Sequence, residues 1–374
     1  MASSPHRAIA GIALFGWANG TLAAGAARLN DRLDLTATVT ALHLAAFAVG
    51  LIAAGAIPPQ KIPGRHVAPI IFALALAPFV GAPHPIISLT AATIIGAAGS
   101  ITLADAQATI TQDDNIDAQR TLVIANIGAA ITAAIAAALV AVLPITSAAA
   151  AALPPIALGL WASAARRTNA PAAPTIKAPT KMRPTHQEVT ALTLVGLVVA
   201  VEFSLGNQIV SYLDNTNPAA TRSTTAPTIL FIGLALGRTI AAVASSRPPK
   251  QTLLAALALL ATAMTAIQLS ETETTRLTLV LVVGAAIGPL YPLAIASTLN
   301  LARDPKTTSS QSTAAIGTAL IATPAIVGTI SDTISATASL NFVIALVACC
   351  AIIASTTLAS RPPKTDTPLR PPAP

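Results

Sequence analysis

Apolar residues occur along this chain in long runs, separated by short polar stretches. A helix that crosses a bilayer needs about 20 mainly apolar residues. Twelve runs reach or approach that length, at residues 9–27, 36–57, 67–82, 86–111, 121–143, 146–165, 189–213, 225–246, 251–269, 277–300, 310–331 and 336–360. The pattern predicts an all-α integral membrane protein with twelve transmembrane helices.

Composition supports a membrane protein. The chain has 374 residues, of which 54% are hydrophobic and 9% are charged, whereas soluble domains carry roughly 25% charged residues. The net charge of +7 does not indicate a nucleic-acid partner, because the basic residues lie in short loops between apolar runs. The two cysteines, Cys349 and Cys350, are adjacent in an apolar run, which predicts neither a disulfide nor a metal site. We expect no cofactor and no metal.

A basic, proline-rich stretch divides the apolar runs into two sets of six. It covers residues 166–188 and has no hydrophobic periodicity, so it is interpreted as a linker. The sequence therefore predicts an N-terminal half at 1–165 and a C-terminal half at 189–360, related as two pseudo-symmetric six-helix units. Residues 361–374 are rich in proline and are expected to be a disordered tail.

The distribution of positive charge predicts the orientation. With both termini and the linker in the cytoplasm, sixteen Lys and Arg residues lie on the cytoplasmic side, four on the outer side, and Arg238 lies inside a span, out of 21. Cytoplasmic loops are expected to carry this excess. Small residues at 23–27 leave a signal peptide as a competing interpretation of the first run. If that run were removed, every later loop would lie on the opposite side of the membrane and the charge distribution would no longer fit. The run is therefore counted as a span.

Three motifs in the second half give a resemblance to a known family. They are GLALGRTIAAVASSRPPKQTLLAAL at 233–257, VEFSLGNQIVSYL at 201–213 and GAAIGPLYPLA at 284–294. With the two six-span halves, they resemble the major facilitator superfamily, near the bacterial fucose-permease and actinobacterial drug or sugar transporter groups. The resemblance implies a substrate site between the halves near the bilayer midplane, and alternating access by rocking of one half against the other.

One loop departs from the family pattern. The loop between the second and third runs reads GAIPPQKIPGRH, in which Gly64 and Arg65 match the close of the family signature. The acidic residue of that signature is missing, and Gln60 and Lys61 stand near its place. The departure weakens any expectation of the usual charge-relay gate here.

Charged residues inside apolar runs are the candidate functional groups. A charge inside the bilayer costs a few kcal/mol even on the lenient insertion scale. Glu202 and Arg238 lie at similar depths in consecutive runs, and Asp105 lies nearer the cytoplasmic end of its run. Glu202 is expected to face a central cavity, where it binds substrate or carries a coupling proton. The alternative is a structural pair in which Glu202 and Arg238 neutralise each other.

Uncharged polar residues supply weaker candidates. Asn19 lies in the middle of the first run, and Asn207 follows Glu202 in the seventh. Tyr291 precedes Pro292 in the tenth run, which Pro289 and Pro292 are expected to kink. Each of these side chains either lines the cavity or simply packs between helices.

An acidic stretch raises the alternative of an enzyme. Residues 112–117, QDDNID, have the acidic spacing with which membrane prenyltransferases hold magnesium and a pyrophosphate. Such enzymes need a second acidic cluster facing the first. The nearest candidates, Glu271 and Glu273, are predicted on the outer side. The chain has neither a P-loop nor a nucleophile elbow, so it is not expected to be an enzyme.

These observations predict a secondary active transporter in a bacterial plasma membrane. We expect a monomer that moves a small solute together with or against protons. Only Trp17 and Trp161 supply indole rings, and the scarcity of aromatic residues favours efflux of an amphipathic compound over sugar transport. A sugar/proton symporter and a membrane protein without transport activity are the alternatives.

Overall fold

The chain folds into a bundle of helices. A computed structural model describes residues 4–55, 62, 65–111, 118–143, 153–164, 185–216, 225–243, 249–301 and 305–357. Within these residues the helices are α1 (Ser4–Leu33), α2 (Ala37–Gly55), α3 (Ala68–Gly81), α4 (Pro85–Thr111), α5 (Ala118–Val142), α6 (Leu153–Ala164), α7 (His186–Thr216), α8 (Ala226–Val243), α9 (Pro249–Leu269), α10 (Glu273–Ile287), α11 (Leu290–Leu301), α12 (Pro305–Thr333) and α13 (Ala336–Thr357). No strand occurs in this part of the chain. The all-α prediction is confirmed.

Each predicted apolar run coincides with helical structure. Among the described residues, ten stretches are long and apolar enough to cross a membrane, and the shorter apolar helices are Arg65–Gly81 and Leu153–Ser163. Large apolar side chains point away from the bundle, among them Leu74, Ile131, Leu259 and Ile352. An apolar outer surface of this kind suits contact with lipid. The chain therefore has the structural features of a multi-pass membrane protein.

The tenth run forms two helices instead of one. α10 ends at Ile287 and α11 begins at Leu290, so the break falls at Gly288 and Pro289. A proline lacks the N–H that would bond to the carbonyl four residues earlier, and its ring clashes with that carbonyl. The prolines expected to kink this run thus coincide with a break in its helix, and Pro292 extends the same effect by leaving the carbonyl of Gly288 without a helical donor.

Contacts between helix ends define two faces of the bundle. We call the end at which α1 begins the proximal face, and the end at which it finishes the distal face. At the distal face, Nη2 of Arg28 donates to the carbonyl of Ala141 near the end of α5 (2.8 Å). At the proximal face, Nζ of Lys250 at the start of α9 donates to the carbonyl of Ser355 near the end of α13 (2.8 Å). α1 and α5 thus end at the same face, and α9 begins at the face where α13 ends.

The helices pack in two groups with contacts between them. In the first group, α1 packs on α3, α4, α5 and α6, α2 packs on α4, and α3 packs on α4 and α6. In the second group, α7 packs on α11, α12 and α13, α8 packs on α10, and α9 packs on α10 and α13. The main contacts between the groups are those of α2 with α12 and of α5 with α8.

Glycines allow α8 and α10 to approach closely. Gly233 and Gly237 on α8 face Gly284 and Gly288, which lie within and just after α10. A Cβ at Gly237 would overlap the carbonyl of Ala285, and a Cβ at the other three positions would also collide with backbone of the opposite helix. Pairs of glycines four residues apart allow this close helix packing in membranes. This contact holds the α8 backbone against α10 next to Arg238, the residue that follows Gly237.

Candidate functional site

The position of Glu202 depends on where α7 begins. The hydroxyl of Thr185 accepts a hydrogen bond from the backbone N–H of Glu188 (3.2 Å), and the Glu188 carboxylate accepts from the backbone N–H of Thr185 (2.7 Å). These reciprocal bonds form a capping box, which satisfies donors that a helix start leaves unpaired. From this start α7 runs without interruption through Gly206 to Thr216. Glu202 therefore lies about halfway along the helix.

Glu202 and Arg238 form a buried ion pair between α7 and α8. Nη2 of Arg238 lies 3.5 Å from Oε1 of Glu202, and the side chains are 8% and 13% exposed. The predicted pairing of these two residues is therefore present. At 3.5 Å the separation is longer than the roughly 2.7–3.2 Å of an ordinary N–H···O hydrogen bond, so Glu202 is held by Arg238 mainly through the attraction of opposite charges.

Arg238 is held more firmly by two backbone carbonyls. Its Nη1 donates to the carbonyl of Asn126 on α5 (2.8 Å), and its Nε donates to the carbonyl of Gly288 at the α10–α11 break (3.3 Å). The break supplies this acceptor, because Pro292 has no N–H to offer it. A buried guanidinium carries five donors and is stable only when they find acceptors. Arg238 thus links both groups of helices while it contacts Glu202.

Tyr291 and Gln107 extend the cluster towards α4. The side chains of Tyr291, on α11, and Gln107, on α4, are hydrogen-bonded, and Tyr291 lies close enough to Arg238 and Glu202 to interact with both electrostatically. Tyr291 was predicted from the sequence and Gln107 was not. Gln107 is an uncharged residue in an apolar run, and it could have been found by treating buried amides as candidates alongside buried charges.

A small cavity lies beside the pair, on its distal side. Its volume is about 30 Å³, which is room for about two or three water molecules. The lining residues come from α1, α2, α7, α8 and α10, and are Asn19, Leu22, Ala23, Leu44, Glu202, Phe203, Gly206, Leu230, Phe231, Leu234 and Ile287. Glu202 and Asn19 are the polar side chains of this set.

Asn19 contributes an oxygen with no protein partner. Its Oδ1 is buried and accepts no hydrogen bond from any described residue. An unpaired buried acceptor costs about 1–3 kcal/mol, and such an atom in a native structure calls for an explanation. Asn19 lines the cavity, but this oxygen has almost no surface accessible to water in the present conformation.

Polar contacts join the two helix groups on both sides of the cavity. On the proximal side, Arg238 joins α8 to α5 through the carbonyl of Asn126. At the distal face, the Asp332 carboxylate near the end of α12 accepts from the backbone N–H of Thr38 at the start of α2 (2.8 Å) and from its hydroxyl (2.5 Å). A carboxylate at a helix start is favourable because it accepts hydrogen bonds from free N–H groups and is attracted by the positive end of the helix dipole.

Other predicted site residues have different outcomes. Asp105 is half-buried on α4 and does not line the cavity, and its backbone carbonyl accepts from the hydroxyl of Thr109 (2.7 Å). The side chain of Asn207 lies outside the described residues, as does Gly64. Arg65 is half-buried and begins a short 3₁₀ turn, Arg65–Val67, before α3. Gln208, next to Asn207, bonds to Ser339 on α13 (2.9 Å) and faces away from the cavity.

The remaining predictions concern linkers and metal binding. The acidic stretch 112–117 and the predicted tail 361–374 lie outside the described residues, as do residues 166–184 of the predicted linker. The last residues of that predicted linker, 186–188, belong to the first turn of α7. Across the described ranges, no group of three or more His, Cys, Asp or Glu side chains is placed to hold a metal ion. Cys349 and Cys350 both carry free thiols on α13.

No protein-family model matches this sequence, and no curated protein matches it. The inference about function therefore depends on the geometry of the site.

Proposed function

We propose that the chain is a secondary active transporter that moves a small solute by alternating access. The observation that carries this proposal is a buried acid–base pair, Glu202 and Arg238, beside a small cavity that lies between two groups of helices. Charged residues inside membrane helices usually mark substrate or proton pathways. A purely structural pair would not require a cavity next to it.

A two-half architecture of the major facilitator type belongs to the same proposal. If α7, α8 and α9 correspond to α1, α2 and α3, the broken helix α10–α11 to α4, and α12 and α13 to α5 and α6, most packing pairs of one group recur in the other. Under the same correspondence, the α2–α12 contact is equivalent to the α8–α5 contact. This recurrence supports twelve spans in two related halves, with α3 and α6 as the shorter members.

Links between the halves on both sides of the cavity are the contacts that movement of the halves would have to break. Arg238 and Asn126 link them on the proximal side, and Asp332 and Thr38 link them at the distal face. A cavity of about 30 Å³ is far smaller than the 300–1,000 Å³ of typical ligand sites. We therefore assign this conformation to an occluded state, from which one of the two links must break to admit solute.

Proton coupling is assigned to Glu202. Glu202 is the carboxylate among the titratable groups of the cluster, and it lines the cavity. Of the three bonds that Arg238 makes to protein oxygens, the one to Glu202 is the longest. Glu202 can therefore leave Arg238 without dismantling the link to α5 and α10. Protonation would neutralise Glu202. The proton would cross the membrane when the protein changes from one open state to the other.

The orientation and location follow from the loop charges. Because sixteen basic residues lie on one side and four on the other, we place both termini and the proximal face in the cytoplasm. We assign the chain to a bacterial plasma membrane as a monomer. The apolar lining, with Asn19 and Glu202 as its polar members, favours efflux of an amphipathic compound over transport of a sugar, whose many hydroxyls would find few partners.

The test is proton movement in proteoliposomes that enclose a pH-sensitive dye. Pools of sugars and of amphipathic cations, anions and neutral solutes are added to the wild type, to Glu202→Gln and to Glu271→Gln. Glu271 is an exposed carboxylate outside the helices, so its variant is the matched control. A solute-dependent pH change that Glu202→Gln abolishes and Glu271→Gln retains supports the proposal. Full activity in Glu202→Gln would make the pair structural and would overturn proton coupling.

A further inference from the structure

Gly206 on α7 faces open space inside the protein. The residue is buried, and a Cβ at this position would meet no atom of a neighbouring element within 4 Å. Gly206 lines the cavity together with Glu202, so the open space next to it is that cavity. The missing side chain at this position is therefore part of the cavity's volume.

Neither the backbone nor the packing of α7 requires a glycine at this position. The helix is continuous through Gly206, and a glycine weakens a helix interior relative to alanine. The other glycine of α7, Gly196, is different, because a Cβ there would lie 3.0 Å from the carbonyl of Ala315 on α12. An alanine at 206 would meet no such obstacle. What distinguishes Gly206 is the space that it leaves empty.

Gly206 lies one helical turn beyond Glu202, on the same face of α7. Residues four apart in a helix are neighbours, with Cβ atoms about 5–6 Å apart. Phe203 lines the cavity as well, and its ring stacks on Phe47 of α2 with the ring centroids 6.3 Å apart. The helix thus presents a carboxylate, a ring held in place and an open position to one cavity.

A side chain at position 206 would take up much of the cavity. The cavity has a volume of about 30 Å³, which is room for about two or three water molecules. Most of its lining residues are leucine, isoleucine or phenylalanine, which leaves Gly206 and Ala23 of α1 as the positions where bulk is missing. Atoms added at 206 would fill space next to the Glu202 carboxylate.

We propose that Gly206 is a specificity-determining residue, which sets the size of the molecule that can reach Glu202. The inference rests on the proposed transport function and names the position at which solutes are selected by size. In an open state, a molecule that approaches Glu202 along α7 passes the bare backbone of Gly206 instead of a side chain. A larger residue at 206 therefore restricts access to the carboxylate to smaller molecules.

The test is chemical modification of Glu202 in the full chain, which requires neither transport nor an identified solute. Diisopropylcarbodiimide and dicyclohexylcarbodiimide are apolar reagents that add to a protonated carboxyl by the same reaction, and the second is the bulkier. Each is applied at one pH to the protein in lipid nanodiscs, and modification of Glu202 is followed by tandem mass spectrometry. The readout is the ratio of the bulky reagent's rate to the small reagent's rate, because the protonated fraction of Glu202 affects both rates equally.

Variants separate loss of space from other effects. Gly206→Ala should lower the rate ratio severalfold, and Gly206→Val should abolish modification by the bulky reagent. Gly128→Ala on α5 is the matched control, because its Cβ also meets nothing within 4 Å and Gly128 does not line the cavity. It should keep the wild-type ratio. Ala23→Leu fills the cavity from α1 and should also lower the ratio, which a change in the flexibility of α7 would not explain.

Each variant is first checked for wild-type elution and melting temperature. Gly206→Ala should melt at the wild-type temperature or slightly above it, because alanine favours the helix and fills an empty space. A wild-type rate ratio in Gly206→Val, an equal fall in Gly128→Ala, or no modification of Glu202 by either reagent in the wild type would each overturn the inference.

Failure of this inference can be told apart from failure of the proposed function. If Gly206→Val moves protons in proteoliposomes with every solute that is active with the wild type, transport stands and size selection at 206 is wrong. If the rate ratio falls as expected but no pool of solutes moves protons, the role of Gly206 in access to Glu202 stands and proton-coupled transport is wrong.

Discussion

The carbonyl of Gly288 accepts a hydrogen bond from Nε of Arg238, 3.3 Å away, and the acceptor is free because Pro292 has no N–H. The proline that breaks the tenth span thus creates part of the binding site for a buried arginine on another helix. Broken membrane helices are tolerated where neighbouring groups satisfy the exposed backbone. Here the neighbouring group is the guanidinium of Arg238, which is also the counter-charge of Glu202.

The α8–α10 glycine contact should control folding of the second helix group. Gly237→Ala places a methyl group on the carbonyl of Ala285, and overpacking of this kind costs about 1–3 kcal/mol. We expect a lower melting temperature in detergent. Gly128→Ala on α5 is the matched control, because its Cβ would meet nothing within 4 Å, and the better helix propensity of alanine should leave stability equal or slightly higher. Equal stability of both variants would contradict the close contact.

Glu202 and Arg238 should show strong coupling in a double-mutant cycle. Arg238→Gln leaves a buried carboxylate without its partner, and breaking a buried pair in this way costs about 3–5 kcal/mol. Glu202→Gln/Arg238→Gln removes both charges, so it should be more stable than the arginine variant alone. The measurement is the melting temperature of the wild type, both single variants and the double variant. Additive losses would show that the charges do not interact.

The hydrogen bond between Tyr291 and Gln107 should affect transport more than stability. Tyr291→Phe removes the hydroxyl and keeps the ring, and a typical hydrogen bond is worth about 1 kcal/mol, or about fivefold in an equilibrium constant. We expect a severalfold fall in transport rate with a normal elution profile. Gln107→Leu should give a similar fall, and the combined variant should lose little more. Independent, multiplying effects would mean that the two residues act separately.

The contact between Thr38 and Asp332 should act as a gate at the distal face. Thr38→Cys/Asp332→Cys is made with Cys349 and Cys350 replaced by alanine, because both native thiols are free. Oxidation, or a short bis-thiol linker, should lock α2 to α12 and stop transport, and a reductant or a cleavable linker should restore it. Each single cysteine variant serves as a control. Continued transport by the locked protein would exclude opening between these helices.

The secondary structure and the membrane character of this chain follow from local sequence patterns. Runs of apolar residues with few charges form helices in a bilayer because every backbone group must be satisfied within the helix. The prolines at 289 and 292 identified the break in the tenth run for an equally local reason. Glu202 and Arg238 were found because a charge in such a run is costly wherever the helix packs.

Which polar groups form hydrogen bonds with one another depends on how the helices pack. The sequence could not show that Arg238 would bond to the carbonyls of Asn126 and Gly288, because backbone acceptors have no residue-specific pattern. Gln107 was missed for a related reason, since its role depends on Tyr291 on another helix. The unpaired oxygen of Asn19 likewise reflects packing, since no neighbour among the described residues supplies a donor. Residue type and periodicity govern local structure, whereas the site is formed by contacts between helices far apart in the chain.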